Sequence, residues 1–160
     1  MYSDFPVHKI LAELSVDNLL PAILFRSSRR QCDEDIEHLG RSSIAKLQGE
    51  SREKLLQGID GAIAKYKMDS SIVRNHPQYE ALIRTGAGAH HAGQLLMWRL
   101  MLEELMTRGL LKMMIATGTV AAGVDFPART VVITAHSKRG NEGFRTLTAS
   151  EFQQMSGRAG

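Results

Sequence analysis

Ser27-Ser28-Arg29-Arg30 sets two hydroxyls beside two guanidinium groups where an apolar run gives way to a helical pattern. A helix N-terminus offers unpaired backbone N–H groups and the positive end of its dipole, so this cluster suits a phosphate. A plain helix cap with two solvated arginines is the competing reading. Thr117 and Thr119 occupy the same kind of position after a later apolar run. Ala121, Ala122 and Gly123 follow them, small enough to let a ligand reach the backbone. Asp125, before Phe126-Pro127, is a turn-maker by default and otherwise an acceptor for a ribose hydroxyl. Arg158, in Gly157-Arg-Ala-Gly160, is either solvated or a mobile cation offered to a developing phosphate charge.

His90-His91 invites a metal, but adjacent side chains on a strand point to opposite faces, and no Cys, Asp or Glu of ligand spacing lies beside them. A hydrogen-bonding turn in which Gly93 lets a phosphate or backbone come close fits better. Gly86-x-Gly88 opens like a dinucleotide fingerprint and fails as one, because His91 stands at the third-glycine position and Gly93 comes two residues late. That sets aside a Rossmann oxidoreductase. No stretch reads G-x-x-x-x-G-K-[ST], so a P-loop phosphate cradle is missing from this sequence.

These residues need elements to hold them. Pro21 to Phe25 reads as a buried strand. Ser28 with Gln31 fits a capping box for a helix carrying Cys32, Ile36 and Leu39, which Gly40 is expected to stop. Ser42 to Ile83 is helical in pattern, with a stripe at Leu55, Ile59, Ile63 and Tyr66 and a break at Asn75-His76-Pro77. We read roughly 42–84 as a helical insertion on the surface of one domain, 1–160. Gly86 to Gly93 suggests a short strand entering a helix whose face is Leu95, Trp98, Leu102 and Leu105, closed by Gly109. Leu111–Ala116 and Thr130–Ala135 are further strands, and Thr148 to Met155 reads as a loop and helix. Strands alternating with helices give an α/β fold, a parallel sheet flanked by helices. Ligands on such sheets gather at the carboxyl ends of the strands, where the residues above fall.

Composition agrees with a globular domain: 43 % apolar and 23 % charged residues, with a net charge of +3 that amounts to no polybasic patch. Apolar stretches fall well short of the ~20 residues of a membrane helix, and Met1–Pro6 is no signal peptide. One cysteine, Cys32, excludes an internal disulfide framework and a cysteine-based zinc site within one chain. A soluble, cytoplasmic protein is the expectation, with no membrane partner.

Order and spacing say more than any single residue. Pro21-Ala-Ile-Leu-Phe-Arg-Ser-Ser-Arg-Arg30, His90-His-Ala-Gly93, Ala116-Thr-Gly-Thr-Val-Ala-Ala-Gly-Val-Asp-Phe-Pro-Ala128 and Gln153-Gln-Met-Ser-Gly-Arg-Ala-Gly160 together resemble the second, C-terminal RecA-like lobe of superfamily-two helicases. Within these the chain is most similar to the Ski-type (superkiller) branch, RNA helicases that serve the exosome, with DNA helicases close by. The closing run from Gly143-Phe-Arg to Gly160 is particularly specific to that branch.

The resemblance implies roles. Ser27 and Arg29 fall in motif IV and His91 with Gly93 in the next conserved turn, lining a groove for single-stranded RNA or DNA. Thr117 and Thr119 belong to motif V and face the same strand, while Gly123 and Asp125 lie on its nucleotide side. Gln154 and Arg158 belong to motif VI, facing ATP and Mg2+ held mainly by the first RecA-like lobe. Arg158 is the implied catalytic arginine. Gly118 stands where relatives commonly carry an acidic residue, and a second motif VI arginine would follow Gly160, so an excised piece of a larger enzyme, inactive alone, is expected. The alternative is a non-enzymatic RecA-like module that binds RNA or protein.

Overall fold

The computed structural model describes residues 6–43, 45–117, 128–136 and 142–148. The apolar run after Pro21 becomes β1 (Ala22–Arg26), the middle strand of a five-stranded sheet. β2 (Ala87–His90), β3 (Met113–Thr117), β4 (Thr130–His136) and β5 (Glu142–Thr148) complete it in the order β2-β3-β1-β4-β5. The four strands β1 to β4 run parallel, as expected, and β5 lies antiparallel on β4. The sequence pattern does not announce β5, because Glu142, Gly143 and Arg145 interrupt any apolar alternation. Its register comes from pairing with β4, Thr130 opposite Thr148 through His136 opposite Glu142.

Six helices flank this sheet among the described residues: α1 (Val7–Val16), α2 (Arg29–Arg41), α3 (Gly49–Lys65), α4 (Ser70–Arg74), α5 (Tyr79–Thr85) and α6 (Leu96–Thr107). Side chains alternate across a strand, so neighbouring residues of β1 feed different cores. Ala22 and Leu24, with Met113, Ile115 and Val132, pack under α1 and α2 against Ile10, Leu14, Cys32, Ile36 and Leu39. Ile23, with Met114 and Ala116, packs under α3 and α6 against Leu55, Ile59, Trp98, Met101 and Leu102. Burial on both faces is what a parallel sheet requires, and with helices on each side the arrangement is the RecA-like α/β fold.

Four sequence expectations need correction. Gly40 does not stop α2, which runs on to Arg41; its missing side chain instead lets α5 approach, since a Cβ there would stand 3.2 Å from that of Ala81. Nor do α3 to α5 lie loosely on the surface. Leu55, Ile59, Ala62 and Leu82 are fully buried in the same core as Ile23 and Met114. The stripe on α3 ends near Ala62 and a half-buried Ile63. Tyr66 is 39 % exposed and donates its hydroxyl to Glu104 at 3.0 Å. On α6 the face is Trp98, Leu102 and Leu105 with Met101, whereas Leu95 precedes the helix and is 55 % exposed.

Gly86 (φ 76°) and Gly109 (φ 71°) end α5 and α6 in left-handed conformations that side chains resist. No helix among the described residues is long and apolar enough to cross a membrane.

Candidate functional site

Register brings the carboxyl ends of three strands to one edge of the sheet. Arg26 of β1 stands opposite Thr117 of β3, and His90 of β2 opposite Ala116. Ser27, His91 and Thr117 therefore leave the sheet side by side. Thr119, Gly123, Asp125, Gln154 and Arg158 lie outside the described residues.

At the β1 end, Ser28 is the N-cap of α2 and its hydroxyl oxygen accepts from the Gln31 N–H at 3.1 Å. Gln31 Oε1 reaches back to accept from the Ser27 N–H at 3.2 Å and from the Ser27 hydroxyl at 2.6 Å. The box closes one residue earlier than the sequence pattern implies, and it fixes the entry to α2. No acidic residue occupies the first turn of α2, which carries Arg29 and Arg30. Arg30 turns to Glu34 at 3.2 Å in an exposed pair of little energetic weight. Arg29 is exposed and runs along the neighbouring turn, its Cδ 3.5 Å from where a Cβ on Gly93 would sit.

At the β2 end the two histidines part company. His90 Nε2 meets Glu103 Oε2 of α6 at 2.7 Å, on one face of the sheet. His91 Nε2 meets Asp33 Oδ1 of α2 at 2.9 Å, on the other. The Gly93 N–H donates to His91 Nδ1 at 3.1 Å, and a Cβ on Gly93 would lie 3.1 Å from that ring. Glycine at this position thus makes room for the ring of His91.

Beneath the site lies a buried ion pair that the sequence reading passed over. Arg26 donates to Asp35 through Nε at 2.6 Å and through its second nitrogen at 3.1 Å, with side chains 2 % and 10 % exposed. It ties α2 to the end of β1 and so places Ser27 to Arg29. A carboxylate on the stripe of Cys32, Ile36 and Leu39 was the signal, because a buried charge demands a partner. Cys32 itself is inert: burial first, then Asp35 and Asp33, push its thiol up to about 12.

No family model matches the chain. Over 155 residues it is 39 % identical to the probable helicase HelY of Mycobacterium tuberculosis, a match covering 95 % of this chain and 17 % of that protein. It is 38 % identical over 151 residues to the chloroplastic DExH-box ATP-dependent RNA helicase DExH15 of Arabidopsis thaliana, covering 94 % of this chain and 12 % of that one. With Superkiller complex protein 2 of Mus musculus it shares 34 % over 151 residues, again 94 % of this chain and 12 % of the relative. Over nearly its whole length the chain is similar to a segment of Ski-type helicases. It spans between 12 % and 17 % of the length of these relatives.

The described geometry supplies an exposed cation, Arg29, beside a helix N-terminus, flanked by two turns held from below. Asp33, Asp35 and Arg26 were missed as contributors because their partners are distant in sequence or on another element.

Proposed function

We propose that this chain is the second motor lobe of an ATP-dependent helicase, contributing part of a single-strand groove and the arginine that faces ATP on the first lobe. The single observation behind this reading is similarity to helicases over 95 % of the chain. The gathering of Ser27, Arg29, Gly93 and Thr117 at one sheet edge supports it.

In this reading Ser27, Arg29, Thr117 and Thr119 face the backbone of a single strand of RNA or DNA, with His91 and Gly93 in the turn beside them. Gly123, Asp125 and Gln154 face the nucleotide, and Arg158 stabilises charge on the transferring γ-phosphoryl. ATP and Mg2+ are held mainly by the first lobe, whose P-loop this sequence does not carry. Contacts to phosphates rather than base edges give weak sequence preference and a steep salt dependence.

In the full-length protein, Arg158→Ala is expected to lower nucleic-acid-stimulated ATP hydrolysis by about 10³–10⁵-fold while leaving single-strand binding in place. This chain alone is expected to hydrolyse no ATP. Full hydrolysis by the Arg158 variant would overturn that role for Arg158, and none by the wild-type full-length protein would favour a non-enzymatic module that binds RNA or protein.

A further inference from the structure

His91 is 5 % exposed, and both of its ring nitrogens are in use. Because the Gly93 N–H donates to Nδ1, the ring proton sits on Nε2, which donates to Asp33 Oδ1. That same oxygen accepts from Gln78 Nε2 at 2.8 Å. Gln78 Oε1 accepts from Gln94 Nε2 at 2.9 Å, which also donates to the Ala89 carbonyl at 3.1 Å. Gln94 Oε1 accepts from His76 Nε2 at 2.9 Å, and His76 Nδ1 accepts the Gln78 backbone N–H at 2.9 Å, closing a ring of three residues. The His76 ring lies flat on Trp98, centroids 3.7 Å apart and planes 7° from parallel. Two backbone N–H donors to the two Nδ1 atoms determine both imidazole tautomers, and the amide orientations follow from them.

The network joins three segments far apart in sequence: α2 through Asp33, the turn between α4 and α5 through His76 and Gln78, and the turn after β2 through His91, Gly93 and Gln94. It leaves His91 no nitrogen with which to meet a phosphate. We infer that His91 is a positioning residue, clamped by Asp33, Gln78, Gln94 and His76, and that Arg29, laid along the clamped turn, is the side chain that meets the nucleic-acid phosphate. This rests on the proposed single-strand groove and adds a division of labour within it: one cation makes contact, and five polar side chains hold the turn it runs along.

Counterion release separates the two roles. A lost phosphate contact flattens the dependence of log affinity on log salt by about 0.7 for a single strand, whereas a lost positioning bond lowers affinity and leaves the slope alone. The experiment is a salt series of fluorescence anisotropy with a single-stranded RNA oligonucleotide and the full-length protein, below the melting temperature of each variant. His91→Ala, Asp33→Asn and Gln78→Met are each expected to weaken binding about tenfold at unchanged slope. The His91→Ala, Asp33→Asn double variant should be no weaker than the worse single one. Arg29→Ala should flatten the slope. Gln78→Met keeps the test alive should Asp33→Asn fail to fold, since it touches neither His91 nor the phosphate.

Ring ¹⁵N spectra should show His91 as the Nε2–H tautomer with and without RNA. A flattened slope for His91→Ala, additive losses in the double variant, or a change of His91 tautomer on RNA addition each overturns the inference. Absence of single-strand binding by the wild-type protein instead overturns the groove itself.

Discussion

Arg26 ends β1 with a buried guanidinium, and Asp35 meets it from α2 through two bonds of 2.6 and 3.1 Å. Desolvating both charges offsets much of their attraction, so the pair is a weak net stabiliser, but removing one partner strands the other's charge in a low dielectric. Asp35→Ala is therefore expected to lower unfolding free energy by about 3–5 kcal/mol, read from the urea midpoint at unchanged slope. Replacing both, Arg26→Met with Asp35→Leu, should recover most of that loss. An unchanged midpoint in Asp35→Ala would mean the pair is not buried. The chemistry-bearing residue types at this edge were legible in sequence: Ser28 and Gln31 announced the cap, and Arg29 the cation. What each side chain touches was not, because Asp33 and His91 stand 58 positions apart and no local pattern records their meeting.

Elements were legible where their period was strong and short-ranged. Trp98, Leu102 and Leu105 mark α6 by spacing alone, and Ala22 to Phe25 mark β1. α1 shows the same helical spacing at its buried residues Val7, Ile10, Leu11 and Leu14. The helices between 42 and 84 were recognised, but their burial was not, since one amphipathic face looks the same whether it covers a sheet or borders solvent. That difference is measurable. Ile59, fully buried between α3, α6 and the sheet, should cost about 2–5 kcal/mol on truncation to alanine. Tyr66→Phe, at the exposed helix end, should stay within about 0.5 kcal/mol. Equal small effects at both positions would restore the loose surface insertion.

Two apolar cores lie on opposite faces of the sheet, and among the described residues a polar seam, from His76 through Gln94 and Gln78 to Asp33 and His91, joins segments far apart in sequence. Through His76 this seam makes stability sensitive to acid. Burial holds the His76 imidazole below its ordinary value of 6.5, against the opposing pull of its bond to Gln94 and of Asp33. The unfolded chain therefore binds a proton on His76 that the folded chain refuses, so stability is complete above 6.5 and declines as pH falls below it. Glu104, lowered chiefly by its hydrogen bond from Lys65, and Asp69, lowered chiefly by the Ser71 hydroxyl, act with the same sign in a later window, below 4.5 and 3.8. Acidification should thus lower the melting temperature in two stages, the first beginning near the ordinary imidazole value. His76→Gln should lower stability at neutral pH yet flatten that first stage, because it removes the titrating ring and leaves the carboxylates in place. A first stage as steep in His76→Gln as in the wild type would place the proton elsewhere and break the link between the seam and acid sensitivity.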